Sequence, residues 1–519
     1  MKKIVFYPVL FSLNPILLLF ASNVSDIPIS ELLPIILITP ICAIGLMALL
    51  NRWVKDIHRA GFLVFLISLW FFHYGTMRVW ADSIQIGKFS LGNHWIIFPL
   101  WTLIFCFFSS GWLWRKITSP ETITLAFNMI TSLIIVFSIF KISADVIPRY
   151  SIHPEIQQSI SSITEYPTIS TLPDIYYIIL DGYAREDVLQ ELYHYDNSDF
   201  IGALSNRGFY IASHSQSNYM QTPLSLASSL NMQYISNISK LNSARGPLIG
   251  MIVHNRVEEI LKQFGYKFVA FSTGFVPTDL NNADYYLSSP GLRRKNDLEA
   301  LLLINSVSII LIEQHLIDLP ISRYSTAQGR ITYIFKSLEN EALKINSPKF
   351  VFIHIIAPHP PFIFDQNGPV SPDEYYVLID GNTFSGPRDV YIQKYIGQLR
   401  YINIKILQAI DEIIANSKVP PVIIIQGDHG PGAYLDWNSA ENTCLKERFS
   451  ILNAYYLPQN TPNRFYDDIT PVNTFPVILN TYFNLNFKLL PDIEYFSTIK
   501  NPYDFVDVSA EVKNPCTIH

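Results

Sequence analysis

Five apolar stretches crowd into the first 143 residues of this chain, at about 4–22, 31–50, 60–76, 95–114 and 122–140, with almost no charge inside them. Each is close to the ~20 residues that a helix needs to cross ~30 Å of hydrocarbon. One such run alone could be a buried core helix, but five in succession predict a membrane-spanning bundle. The third run is the shortest and ends at His73 and Tyr74, so its limits are the least defined. Only 15% of the 519 residues are charged, against roughly 25% in an ordinary soluble domain. The formal net charge of -6 gives no surplus of positive charge for a nucleic acid backbone. Four cysteines are too few for a disulfide scaffold.

Basic residues retained in short cytoplasmic loops set the orientation of such a bundle. Lys2 and Lys3 precede the first run, Arg52, Lys55 and Arg59 follow the second, and Arg115 and Lys116 follow the fourth. The loop from Asn23 to Glu31 has no basic residue, and the next loop on that side carries Arg78 and Lys88. This pattern predicts a cytoplasmic amino terminus and places everything after about Asp145 outside the cell. The first run, ending Ala21-Ser22, also has the outline of a cleaved signal peptide, although Pro8, Asn14 and Pro15 interrupt it. Cleaved or retained, it leaves the large carboxy-terminal part outside.

Residues 146–172 are polar and rich in Ser, Thr and Pro, as in a linker. After them, short β-rich runs recur at Asp174–Leu180, Lys267–Ser272, Phe350–Ile356, Val422–Gln426 and Phe449–Leu457. Helical patterns alternate with these runs at Asp187–Arg207, Val257–Phe264, Gly329–Ile345, Tyr391–Asn416 and Pro471–Tyr482. The expected architecture is an α-helical membrane domain (1–145), a linker (146–172), and an extracytoplasmic α/β domain (173–519) with a mostly parallel central sheet flanked by helices.

Ligands gather at the carboxyl ends of strands in such sheets. Three of the runs end in polar residues of one chemical kind: Asp181-Gly182, then Pro358-His359-Pro360-Pro361, then Gly427-Asp428-His429-Gly430. Any one of these is explained by ordinary strand-end polarity. Together they suggest a cation held by the oxygens of Asp181 and Asp428 and a nitrogen of His429. A fourth element, Asn218-Tyr-Met-Gln-Thr222-Pro223, puts a hydroxyl just before a proline suited to a helix's first turn. Thr222 alone reads as an N-cap. Facing a metal, its hydroxyl would become a usable nucleophile.

The ordered set Leu180-Asp181-Gly182, Asn218-Tyr-x-x-Thr222, His359-Pro-Pro and Gly427-Asp428-His429-Gly430 resembles the alkaline phosphatase superfamily. The likeness is to its membrane-anchored, sulfatase-like branch, which includes lipoteichoic acid synthases and phosphoethanolamine transferases. The resemblance implies a sulfatase-like catalytic domain over about 174–485. It assigns Asp181, Thr222, Asp428 and His429 to the metal, Thr222 as nucleophile, and His359 to the substrate. The pattern Tyr395-x-x-Gln398-x-x-Tyr401-x-Asn403 also resembles the family's, and most of it reads as packing. Three departures stand out. Thr222-Pro223-Leu224-Ser225-Leu226 lacks the modifiable residue and the Arg of a formylglycine motif, a single Asp181 stands where sulfatases pair aspartates, and no His occurs between 430 and 518.

The reaction so implied is a transfer or hydrolysis of phosphodiesters through a phosphothreonine on Thr222, with one divalent ion (Zn, Mn or Mg). His359 would act as proton donor and acceptor, and Asn218 would hydrogen-bond a phosphate oxygen or, equally, stabilise a turn. Implied partners are the lipid bilayer, a phospholipid donor and an envelope glycan or lipid acceptor. The implied location is a plasma (inner) membrane. A sulfatase-like hydrolase of sulfate or phosphate esters and a non-catalytic envelope-assembly module are the competing readings. Arg448, close to the last β-rich run, could meet a phosphate but reads better as a surface arginine; His354 reads as strand packing, and Cys42 and Cys106 as small apolar fillers. Cys444 and Cys516 lie where a disulfide would persist.

Overall fold

The computed structural model describes residues 4–24, 27–82, 84–86, 89–110, 119–149, 172–235, 244–289, 297–314, 323–371, 380–384, 386–458 and 464–516. Lys2, Lys3, Lys88, Arg115, Lys116 and nearly all of the expected linker lie outside them. The chain divides into two compact units, one of residues 1–146 and 294–323, the other of 147–293 and 324–519.

In the first unit the apolar runs are helical: Tyr7–Ser22, Leu32–Val54, Ile57–Phe72 continuing into Tyr74–Asp82, His94–Ser109 and Pro120–Arg149. The segments Ile29–Val54 and Pro120–Arg149 are each long and apolar enough to cross a membrane. The third run bends by 48° at its break, and Tyr7–Ser22 and His94–Ser109 are shorter apolar helices. Leu33, Leu37, Ile41, Leu133, Val136 and Phe140 are exposed, an apolar outer surface that water would not favour. Asn128 ties two helices together inside: its Oδ1 accepts from the Tyr7 N–H at 2.9 Å, and its Nδ2 donates to the Ile4 carbonyl at 2.8 Å. Leu298 and Leu302, within the stretch assigned from sequence to the outer domain, join the hydrophobic cluster of Ile16, Leu17 and Phe20.

The second unit is built on seven strands: β1 Ile175–Leu180, β2 Phe209–Ile211, β3 Lys267–Phe271, β4 Tyr285–Leu287, β5 Lys349–Ile355, β6 Val422–Gly427 and β7 Asn453–Tyr456. Their order is β2-β7-β6-β1-β5-β3-β4. Every pairing from β6 through β4 is parallel, while β7 runs antiparallel to both β6 and β2. The mostly parallel α/β sheet expected from the sequence is therefore present.

Strand β1 is buried throughout, and its side chains alternate between two cores as the pleat requires. Tyr176, Ile178 and Leu180 pack with Tyr395, Leu399, Ile402 and Ile406 of helix Arg388–Asn416. Ile175, Tyr177 and Ile179 face the other way, against Leu224 and Leu230 of helix Thr222–Asn231 and Phe475 and Ile478 of helix Pro471–Tyr482. Two short strands, β2 and β4, fall outside the runs read from the sequence. The pattern over 187–207 divides into helices Glu186–Tyr193 and Ser198–Asn206.

The register brings the site together. Gly427 at the end of β6 is level with Leu180 at the end of β1, and Leu180 is level with Ile355 at the end of β5. Asp181, Asp428-His429 and the loop bearing His359 thus leave the same edge of three adjacent strands.

Candidate active site

Asp181 follows β1 and is turned by Gly182, whose φ of 70° lies in the left-handed region that favours glycine. A side chain at Gly182 would also meet His359 Cβ at 3.4 Å. Tyr395 staples this turn, donating to the Gly182 carbonyl at 2.9 Å and accepting from the Ala184 N–H at 3.1 Å. The Gly182 N–H in turn donates to Asp428 Oδ1 at 3.0 Å, which sets the orientation of the second carboxylate. Gly430 is required for a different reason, since a Cβ there would lie 1.9 Å from the Glu447 carbonyl oxygen.

One ligand atom from each of Asp181, Asp428 and His429 lies within 4.8 Å of the others. His429 Nε2 is 3.6 Å from Asp181 Oδ1 and 3.5 Å from Asp428 Oδ2. Both carboxylate oxygens are buried and lack a hydrogen-bond partner among the described residues. Buried acceptors are rarely left in that state, and a shared cation would satisfy both. His429 Nδ1 lies 2.9 Å from the Gly430 carbonyl, so the ring proton belongs on Nδ1 and Nε2 presents its lone pair. Two carboxylates and an imidazole therefore fit one divalent ion.

Thr222 opens helix Thr222–Asn231, and its Oγ1 lies 3.1 Å from His429 Nε2. It does not cap the helix through its side chain: Gln221 holds the cap position. The hydroxyl is thereby free to face Asp181, Asp428 and His429.

His359 stands beside this group, its ring centroid 6.0 Å from that of His429. The Gln398 side chain fixes its loop, donating to the His359 carbonyl at 3.0 Å and accepting from the Ile363 N–H at 2.8 Å. Burial disfavours the His359 imidazolium, but the carboxylates of Asp181 and Asp380 outweigh that and raise its pKa above the ordinary histidine value. Burial likewise opposes ionisation of Asp181, yet the surrounding imidazoles of His359, His354 and His429 hold its carboxyl below the usual range. His429 is shifted down, chiefly by burial and further by the Arg448 guanidinium, which favours the neutral, ligating form.

Three expectations are corrected. Asn218 is not directed at the site: its Nδ2 donates to Thr470 Oγ1 at 2.9 Å and to the Ile493 carbonyl at 3.0 Å, and its Oδ1 accepts from the Val472 N–H at 2.9 Å. It ties its segment to helix Pro471–Tyr482 and has no polar capacity left for a phosphate. Arg448 is not a surface residue but is fully buried, 2.8 Å from Asp380 Oδ2 through Nη1. His354 does more than pack, because its Nε2 lies 3.3 Å from Asp181 Oδ2 and its Nδ1 pairs with Thr278 Oγ1 at 2.8 Å. Cys444 and Cys516 form a disulfide.

Asp380 was missed altogether. A signal for it exists, since Tyr375-Tyr-Val-Leu-Ile-Asp380-Gly381 repeats the pattern Tyr176-Tyr-Ile-Ile-Leu-Asp181-Gly182.

No family model matches the sequence, and no curated protein matches it. Among solved structures, the chain is similar to the C-terminal periplasmic domain of EcEptC from Escherichia coli in complex with Zn, at 12% identity and a TM-score of 0.44, covering 67% of this chain and 96% of that one. It is similar to the integral membrane protein lipooligosaccharide phosphoethanolamine transferase A (EptA) from Neisseria meningitidis, at 10% identity and a TM-score of 0.40, over 85% of this chain and 92% of that one. A Bacteroides thetaiotaomicron structure named BT33494S-sulf is similar at 13% identity and a TM-score of 0.37, over 65% of this chain and 84% of that one.

Proposed function

We propose that this chain is a membrane-bound, metal-dependent phosphodiester transferase or hydrolase of the sulfatase-like alkaline phosphatase superfamily, acting through a phosphothreonine on Thr222. The observation that carries this reading is the convergence of the Thr222 hydroxyl with the unpartnered oxygens of Asp181 and Asp428 on His429 Nε2. Asp181, Asp428, His429 and Thr222 would hold one divalent ion. When bound, that ion lowers the pKa of a coordinated hydroxyl and withdraws charge from a phosphoryl oxygen.

The protein's own groups supply position and proton traffic. Thr222 is held at the first turn of its helix, where the partial positive charge of the helix end favours an anion. Its Oγ, with its proton released to solvent, attacks phosphorus, and the bond from phosphorus to the leaving oxygen breaks; in the second step the Oγ–phosphorus bond breaks and Oγ regains a proton. His359, with its raised pKa, gives a proton to that oxygen, then takes one from the acceptor hydroxyl or water that attacks the phosphothreonine. Such acid and base assistance typically contributes roughly 10²- to 10⁴-fold. The threonine also weighs against sulfate ester chemistry of the formylglycine kind, since Thr222 is neither Cys nor Ser.

Apolar helices at the amino terminus support a donor that lies in the membrane. A phospholipid, whose phosphodiester lies at the bilayer surface, is the donor this arrangement favours, with an envelope glycan or lipid as acceptor. We propose five spans in an inner membrane with the catalytic domain outside. Zn, Mn and Mg all suit two carboxylates, one imidazole and a hydroxyl.

The test is peptide mass spectrometry of the full-length protein after incubation with mixed phospholipids and a divalent metal. A headgroup-phosphate adduct on Thr222, absent from Thr222→Ala, is expected. An active protein with no adduct, or activity that survives Thr222→Ala, would remove Thr222 from the mechanism.

A further inference from the structure

Arg448 and Asp380 form a fully buried ion pair directly beside the proposed metal site. The reaction above uses Asp380 only through its effect on His359 and does not use Arg448. Burying two charges costs several kcal/mol per ion before attraction repays it, so a pair of this kind calls for a reason beyond stability. The pattern of hydrogen bonds supplies one.

Arg448 has five N–H donors in a planar fork. Nε donates to the Met220 carbonyl at 2.9 Å, while Nη1 donates to Asp380 Oδ2 at 2.8 Å and to the Gly430 carbonyl at 3.0 Å. The indole of Trp437 lies against the guanidinium, 5.1 Å from ring centroid to Cζ, and its Nε1 donates to the Asp380 carbonyl at 2.9 Å. Three of the five donors therefore anchor the fork. The other two are on Nη2, whose one partner among the described residues is His429 Nε2 at 3.4 Å. That nitrogen is the proposed metal-ligating atom, and a lone pair given to a metal cannot also accept from Arg448. With the metal in place, Nη2 keeps two donors without an acceptor, aimed at the atom that Thr222 Oγ1 approaches to 3.1 Å. One phosphoryl group can span Nη2 and Oγ1, because both lie beside the same nitrogen.

We infer that Arg448 binds a non-bridging phosphoryl oxygen through Nη2, and that Asp380 is a positioning residue holding Arg448 and His359 at once. Asp380 Oδ2 lies 3.6 Å from His359 Nε2 as well as 2.8 Å from Arg448 Nη1. A single carboxylate oxygen thus sets the distance between the group that binds the phosphoryl oxygen and the group that handles the proton. A planar guanidinium locked at its base performs the charge compensation for which many two-metal sites use a second cation. The inference rests on the phosphoryl-transfer reading and deepens it. It assigns to this site one metal, one arginine and a tetrahedral oxyanion as ligand.

The test measures binding of inorganic phosphate to the full-length, metal-loaded protein in detergent by titration calorimetry. Arg448→Lys keeps the charge but loses the fork, and its phosphate affinity is expected to fall roughly 10- to 100-fold, the range for one charge-assisted hydrogen bond pair. Asp380→Asn combined with Arg448→Gln removes both charges together, so no uncompensated ion is left buried. That pair is expected to melt near the wild-type temperature, bind zinc as wild type does, and lose phosphate affinity by at least the same factor. Wild-type phosphate affinity in either folded variant overturns the inference, even if Thr222 still forms an adduct. A wild-type protein that binds zinc but neither phosphate nor a headgroup adduct overturns the phosphoryl-transfer reading itself, which keeps the two failures distinguishable.

Discussion

His354 Nε2 lies 3.3 Å from Asp181 Oδ2, on the side of that carboxylate away from the oxygen that faces His429. With Nδ1 paired to Thr278 at 2.8 Å, the ring cannot turn, and Asp181 Oδ1 is left as the oxygen directed into the site. Partners behind a ligand typically matter by 10- to 100-fold in metal affinity. His354→Gln is therefore expected to weaken zinc binding by roughly that factor, read by competition with a chromogenic chelator. Unchanged affinity would return His354 to a packing role.

Asp181 and Asp428 place two carboxylates near one buried point, so metal removal and ligand removal should act in opposite directions on stability. Chelation is expected to lower the melting temperature of the wild-type protein, because a ligand that binds only the folded state stabilises it. Asp428→Asn relieves like-charge repulsion in the metal-free protein. Its melting temperature without metal should equal or exceed that of metal-free wild type and should not rise when zinc is added. Stabilisation of the variant by zinc would contradict the assigned ligand set.

Glu447 is buried, and burial pushes its pKa up to about 7 from 4.5. Between those values the folded state holds a proton that the unfolded state has released. Its contribution is fully present below about pH 4.5 and is lost as pH rises through about 7. The loss amounts to on the order of 3 kcal/mol. Glu258 and Glu494 are shifted to about 7 in the same sense. Melting curves from about pH 5 to about pH 8 should show a declining temperature. Glu447→Gln should make that decline shallower while Tyr193 keeps an acceptor within reach. An unchanged slope would show that Glu447 titrates normally.

Asn218 now serves a structural role, which predicts a separation of stability from chemistry. Asn218→Ala leaves the buried Val472 N–H without its acceptor, at a cost of about 1–3 kcal/mol, while the Thr470 hydroxyl keeps Asp492. The rate per folded molecule, measured below the lowered melting temperature, should stay within a few-fold of wild type. A large fall in rate without a loss of stability would restore Asn218 to the substrate.

Local composition was enough to predict the apolar helices, the alternation of strands and helices, and the strand ends carrying Asp181, His359 and Asp428-His429. Those features are short-range: an apolar run, a period, a glycine beside a ligand. Thr222 was legible only in company, since the same residue before proline is usually a cap, and what distinguishes it is the 3.1 Å approach to a histidine 207 positions away. Asn218, His354 and Arg448 stayed ambiguous in the sequence because a polar side chain's role depends on which distant groups meet it. Burial of Arg448 beside Asp380, 68 positions apart, follows from register and loop closure rather than from any neighbouring residue. The sequence by itself determined which elements form and which chemistry their ends carry, because backbone propensity and hydrophobic period act over a few residues. Only the tertiary structure decided which of those polar groups share a site, because that depends on sheet order.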